Sequence, residues 1–179
     1  ENELENDFSL NSIMKNILIT AYQKSENSSL KTELSAKKVA EFISSNHFEW
    51  TINEEVSSIV DKISKVTNIK YDWKNDNIAL QNIQARVRSP FIWFIANTNN
   101  MLLLSTSNRN ESSVGYSTMD GDSSGSISPI AGIDKVFITD LLKYLKKTYN
   151  YKCLENVLKL SPSAELKPKV LNQKDEDDL

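Results

Sequence analysis

Glycine is scarce in this chain, and its placement is uneven. The 179 residues hold four glycines, Gly115, Gly121, Gly125 and Gly132, and all of them fall between Leu102 and Lys135. Cysteine is scarcer still: the one cysteine, Cys153, excludes a disulfide framework and suits a reducing compartment. The one histidine, His47, is far from Cys153 in sequence, so nothing points to a Cys–His nucleophile and Cys153 reads as structural. No apolar run approaches the roughly 20 residues that span a bilayer, and no signal-peptide core is visible, so the expectation is a soluble, cytoplasmic protein. The net charge of −3, with lysines scattered throughout, leaves no basic stripe for nucleic acid, and no membrane partner is expected. Internal repeats are absent. A chain of this length makes one domain and can bury about 70% of its unfolded surface.

The glycine-bearing stretch, "LLLSTSNRNESSVGYSTMDGDSSGSISPIAGIDK", concentrates positive-φ capacity and close backbone approach where serines, Thr106, Glu111 and Lys135 also gather. An apolar run, Met101 to Leu104, precedes it and reads as a buried strand. The pattern "IDKVFITDLLKYLKK" follows and reads as a helix. Strand, long polar loop and helix is the place where open α/β sheets bind ligands, outside the carboxyl ends of their strands, and the loop's composition suits a polyanion.

Upstream, "SIMKNILIT" predicts a strand and "SSLKTELSAKKVAEFISSN" a helix. "HFEWTI" predicts a second strand, with Asn53 as N-cap of the helix beyond it and Glu54 and Glu55 in its first turn. The longest helical pattern runs from Asp76 to Ala96. In it Ile83, Val87, Phe91 and Phe94 make one apolar stripe, Asn82 and Arg86 share a face, and Pro90 is expected to kink the axis near Arg86. Arg86 and Arg88 read as surface charges. Strands alternating with helices predict an α/β fold with a Rossmann-like, mostly parallel sheet.

In order and spacing, "AYQKSENSS", "QNIQARVR", the glycine-bearing stretch, "SPSAELKP" and the terminal "KDEDDL" resemble the synthetase domain of glutamine-dependent NAD synthetases, over about the whole chain from Ile13 onward. The resemblance implies a sheet of the adenine nucleotide α-hydrolase type. It also implies an ATP-dependent ligase that adenylates the carboxylate of deamido-NAD, releases pyrophosphate and lets ammonia displace AMP. The ammonia would come from a glutaminase domain not in this chain, and the assembly implied is a homo-oligomer.

By the same resemblance Thr106, Lys135 and Ser163 are ATP-binding residues, Asn82 and Arg86 contact deamido-NAD, and Glu111 is a magnesium ligand. Each residue type suits the role implied for it. A hard carboxylate oxygen matches a metal that keeps water and phosphate partners, a point cation matches phosphate, and a planar guanidinium allows bidentate contact. Departures accompany the matches. Ser105 stands where the family pattern "GTxNxSE" has glycine, and Met119 and Ser126 stand where many members carry a lysine and an aspartate for deamido-NAD. Nothing resembles the "SGGxDS" pyrophosphate loop, so residues 13–168 read as part of a synthetase domain, between a polar edge (1–12) and an acidic tail (169–179). Two further readings are another ATP pyrophosphatase relative, such as a GMP synthetase, and a non-catalytic dimerisation fragment using Phe91, Trp93 and Phe94.

Overall fold

The structure, a computed structural model, describes residues 9–161 and 163–168. In chain order it contains α1 (Leu10–Ile17), β1 (Ile19–Lys24), α2 (Leu30–Phe42), β2 (Asn46–Thr51), α3 (Asn53–Thr67), α4 (Asn77–Thr98), α5 (Arg109–Val114), α6 (Lys135–Tyr149) and α7 (Leu154–Lys159). β1 and β2 pair in parallel, Ile19 opposite Asn46 through Lys24 opposite Thr51, with α2 as the crossover that a parallel pair requires. A further parallel bridge joins Leu104 to Ile127. The α/β reading with a parallel sheet therefore holds. The carboxyl ends of β1 and β2 and the polar turn after Leu104 are followed by the segments that carry the candidate residues.

Several local readings are corrected. "SIMKNILIT" is not one strand: Ser9 caps α1 by accepting from the Ser12 amide, and β1 starts only at Ile19. Leu10, Ile13, Met14 and Ile17 have helical spacing, so the first residues expected in the polar edge are helical from Leu10. Residues 1–8 and the acidic tail lie outside the described residues. Met101 to Leu104 forms a single bridge rather than a buried strand, and Leu102 and Leu104 are exposed. Asn53 is the first residue of α3, after an Ile52 cap, because its side-chain oxygen is taken by the Glu26 amide at 2.9 Å. α4 runs on as one helix through Pro90, which leaves the Arg86 carbonyl without its helical donor. Its expected apolar stripe is only partly inward: Val87 is buried, but Phe94 is 70% exposed.

The core is thin. Ala40, Ile52, Ala85, Val87, Ala96 and Leu154 are buried, and Ile52 is the largest fully buried side chain among the described residues.

Candidate functional site

The turn after β1 is built as a polar junction. Ser29 caps α2 by accepting from the Thr32 amide. Glu165 reaches the same cap from the far end of the chain: its carboxylate accepts from the Ser29 amide at 3.2 Å and the Thr32 hydroxyl at 2.8 Å. Glu165 has φ +50, a left-handed conformation that a glutamate seldom adopts, so the surrounding contacts must hold it there. Two buried amides complete the junction. Asn27 donates to Gln84 Oε1 (3.1 Å) and to the Leu166 carbonyl (3.0 Å), while Gln84 Nε2 donates to the same carbonyl at 2.7 Å. The segment carrying Ser163 is thus pinned over the carboxyl end of β1, and the Ser163 hydroxyl accepts from the Glu165 amide at 3.3 Å.

A second junction joins the first turns of α5 and α6. Asn108 caps α5 in a capping box: its side chain accepts from the Asn110 amide, and Glu111 reaches back to the Asn108 amide at 3.1 Å and the Asn108 side-chain amide at 2.8 Å. The Asn110 side chain crosses to α6 and accepts from the Lys135 amide at 2.9 Å. The Arg109 amide donates to Ile133, and the Arg109 guanidinium pairs with Asp134 at 3.1 Å. Asp134 in turn caps α6 by accepting from the Phe137 amide. Glu111 and Lys135 therefore lie on two helix starts that are fixed to each other. Thr106 precedes them, exposed, just beyond the bridge at Leu104.

A third feature is the turn from Thr118 to Gly125, laid along α4. The Thr118 hydroxyl donates to Asn82 Oδ1 at 2.9 Å, Arg86 Nε to the Met119 carbonyl at 3.0 Å, and Trp93 Nε1 to the Ser124 carbonyl at 3.0 Å. The Ser89 hydroxyl donates to the Asp120 carbonyl. Gly121 rests on Ala85, whose backbone a Cβ at 121 would meet at 3.0 Å. Met119 is 67% exposed, so its side chain points out beside Arg86 rather than into a core.

Arg88 corrects the reading of two surface arginines. Arg86 is exposed, but Arg88 is largely enclosed, donating from Nε to the Gln23 carbonyl of β1 at 3.0 Å and from Nη1 to the Gln84 carbonyl at 2.8 Å. Burial pushes its pKa down, partly offset by the field of Asp122. Beside it, burial pushes the Tyr22 hydroxyl up. Nothing in the sequence could separate the two arginines, since the β1 carbonyl that receives Arg88 is remote in the chain.

The NAD synthase family model matches residues 10–179. The chain belongs to the NAD synthase family. Among curated relatives, the glutamine-dependent NAD(+) synthetase of Saccharomyces cerevisiae is 34% identical over 168 residues, covering 85% of this chain and 24% of that protein. The human protein of the same description is 31% identical, covering 91% of this chain and 26% of its own length. Among solved structures, a glutamine-dependent NAD(+) synthetase from Cytophaga hutchinsonii superimposes with a TM-score of 0.79 at 42% identity, over 88% of this chain and 26% of that one. This family member thus spans about a quarter of the length of the relatives it matches. An Acinetobacter baumannii glutamine-dependent NAD+ synthetase solved with ADP shares the fold, with a TM-score of 0.70 at 24% identity over 85% of this chain and 28% of that one.

Of the residues expected at the site, the structure joins the helix starts of Glu111 and Lys135, pins the segment of Ser163 to the turn after β1, and sets Asn82 and Arg86 on one face of α4. Sequence reasoning missed Asn27, Gln84, Asn110 and Glu165, which do the joining. "SPSAEL" did include Glu165, but its partners Ser29 and Thr32 are remote in sequence. Among the described residues no group of three His, Cys, Asp or Glu side chains could hold a metal by itself, and no helix is long and apolar enough to cross a membrane.

Proposed function

We propose that this chain forms part of an ATP-dependent synthetase that converts deamido-NAD to NAD, with Thr106, Lys135 and Ser163 toward ATP and Asn82 and Arg86 toward the dinucleotide. Supporting this most directly is the Asn110 bridge to the Lys135 amide. It fixes a lysine at the start of a 15-residue helix whose N-terminus already favours an anion. A lysine in that position opposes the helix dipole, a local cost that a bound phosphate offsets.

The donor set fits magnesium only in a limited way. Each Glu111 oxygen accepts one hydrogen bond, from Asn108, and so keeps a lone pair. With no group of three His, Cys, Asp or Glu side chains among the described residues to hold a metal, Glu111 would be a protein ligand alongside phosphate oxygens and water. The metal would neutralise phosphate charge as pyrophosphate leaves. The chain's own residues orient the reactants: Arg86 presents its guanidinium beside Met119, and the two pinned junctions hold the ATP side still. In the overall reaction the deamido-NAD carboxylate displaces pyrophosphate from ATP, and ammonia then displaces AMP. A glutaminase domain outside this chain would supply that ammonia, and the cytoplasm is the compartment that fits.

Binding is the appropriate test for a chain of this span. Titration with deamido-NAD should show saturable binding that Arg86→Ala weakens and that xanthosine monophosphate does not compete for. Equal affinity for both nucleotides would favour a different ATP pyrophosphatase relative and overturn this assignment.

A second surface supports the homo-oligomer reading. Trp50, Pro90, Phe91, Phe94 and Ile95 line an apolar cleft of about 460 Å³, beside which Phe94 is exposed. Trp93 does not belong to it, because its indole is turned to Ser124. Phe94→Ser, read by sedimentation, should shift any dimer toward monomer, whereas an unchanged dimer would exclude this face.

A further inference from the structure

Asn82, Arg86, Ser89 and Trp93 follow one another along α4 at steps of four, three and four residues, so they form one stripe on one face of the helix. Each is bonded to a different point of the turn 118–125: the Thr118 hydroxyl and the Met119, Asp120 and Ser124 carbonyls. Between them Gly121 lies directly on Ala85. The turn is also closed on itself, by the Thr118 amide to Asp122 at 2.8 Å and the Ser124 amide to the Gly121 carbonyl at 3.1 Å. Asp120 takes φ +61, a left-handed conformation that aspartate tolerates in turns. A turn of this kind, closed internally and fastened at successive points to a rigid helix, has its register set by the helix.

This matters for Arg86. Its Nε is spent on the Met119 carbonyl, which restrains the guanidinium of this exposed side chain against the turn. If the carbonyl at 119 shifts, the fork turns with it. Ser89 and Trp93 do not share Arg86's exposure, and their bonds flank the exposed tip at Met119 on its C-terminal side.

We propose that Ser89 and Trp93 are positioning residues for dinucleotide binding: by holding the Asp120 and Ser124 carbonyls on α4 they fix the Met119 carbonyl and so aim the Arg86 guanidinium. The proposal rests on the reading of Arg86 as a deamido-NAD contact, and the test separates the two.

The 179-residue chain is titrated with deamido-NAD and, separately, with ATP, as wild type, Arg86→Ala, Ser89→Ala, Ser89→Thr and Trp93→Phe. Ser89→Ala and Trp93→Phe should each weaken deamido-NAD binding about tenfold, the scale of one lost positioning hydrogen bond. ATP affinity should stay within about twofold, and Ser89→Thr, which keeps the hydroxyl, should restore deamido-NAD binding. Amide exchange across 118–125 should accelerate in the two weakened variants. If Arg86→Ala weakens deamido-NAD binding but Ser89→Ala and Trp93→Phe leave it unchanged, the positioning role is wrong and the function stands. Equal losses of deamido-NAD and ATP affinity in Ser89→Ala would mark a general structural role and likewise overturn the proposal. Wild-type chain that does not bind deamido-NAD, or Arg86→Ala that binds it as wild type does, removes the functional reading and the proposal with it.

Discussion

Replacing Gly125 by alanine should loosen the join between the bridge at Leu104 and the turn beyond it. Gly125 lies against Ser105 so closely that an added Cβ would fall within hard contact of the Ser105 amide nitrogen and hydroxyl, and 3.0 Å from the Leu104 carbonyl carbon. Two of these three neighbours are backbone, so a side-chain rotation cannot clear the space. Three hydrogen bonds meet at this point, each 2.8 Å: Ser105 N to Ile127 O, Ser126 N to Leu103 O, and Gly125 N to Ser105 Oγ. With overpacking costing about 1 to 3 kcal/mol and one of these bonds, worth a net of about 1 kcal/mol, lost with it, the local loss is about 2–4 kcal/mol. That corresponds to amide exchange at Ser105, Ser126 and Ile127 about 30- to 1,000-fold faster, readable by hydrogen exchange with mass spectrometry or NMR. The double variant Ser105→Gly with Gly125→Ala should recover little, because the backbone atoms remain in the way. Unchanged protection in Gly125→Ala, or full recovery in the double variant, would refute this reasoning.

Two further outcomes are expected. Gln84→Glu turns a buried donor facing the Leu166 and Leu80 carbonyls into an acceptor facing acceptors, and should lower stability in urea titration by about 2–4 kcal/mol; a loss below about 0.5 kcal/mol would contradict the pinned junction. Burial pushes the Cys153 thiol up, so folding favours its neutral form: the associated stability is complete below the ordinary thiol range and is lost as pH rises through the raised value. At about pH 8 Cys153 should therefore react with a disulfide reagent more slowly in the folded chain than after unfolding, and equal rates would show that its surroundings do nothing to the thiol.

Periodicity made the long helices legible. α4 and α6 appear within a few residues of their expected bounds, because their apolar spacing and, for α6, the Asp134 cap are local signals. β2 was legible too, lying within one residue of "HFEWTI". The errors came where one apolar run serves two elements or lacks a neighbour. "SIMKNILIT" carries a helix and the start of a strand with only Leu18 between them. Met101 to Leu104 has a strand's composition, but its pairing is confined to Ile127. At the candidate site, residue types could be matched to a family, while the contacts that place them could not. Asn27 with Gln84, Ser29 with Glu165, and Arg88 with Gln23 are each polar pairs far apart in sequence, and polar residues leave no periodic trace. The stripe on α4 mixes an amide, a guanidinium, a hydroxyl and an indole, so no hydropathy pattern announces it.

The joined helix starts of α5 and α6, with the turn after Leu104, are proposed to hold nucleotide phosphates. Calorimetric titration of the chain with ATP and magnesium, comparing wild type with Thr106→Ala, Glu111→Gln and Lys135→Ala, tests it most directly. Saturable binding is expected in the wild type, with the largest loss in Lys135→Ala and a magnesium dependence that weakens in Glu111→Gln. Three variants that bind ATP as the wild type does, with the same magnesium dependence, would contradict it.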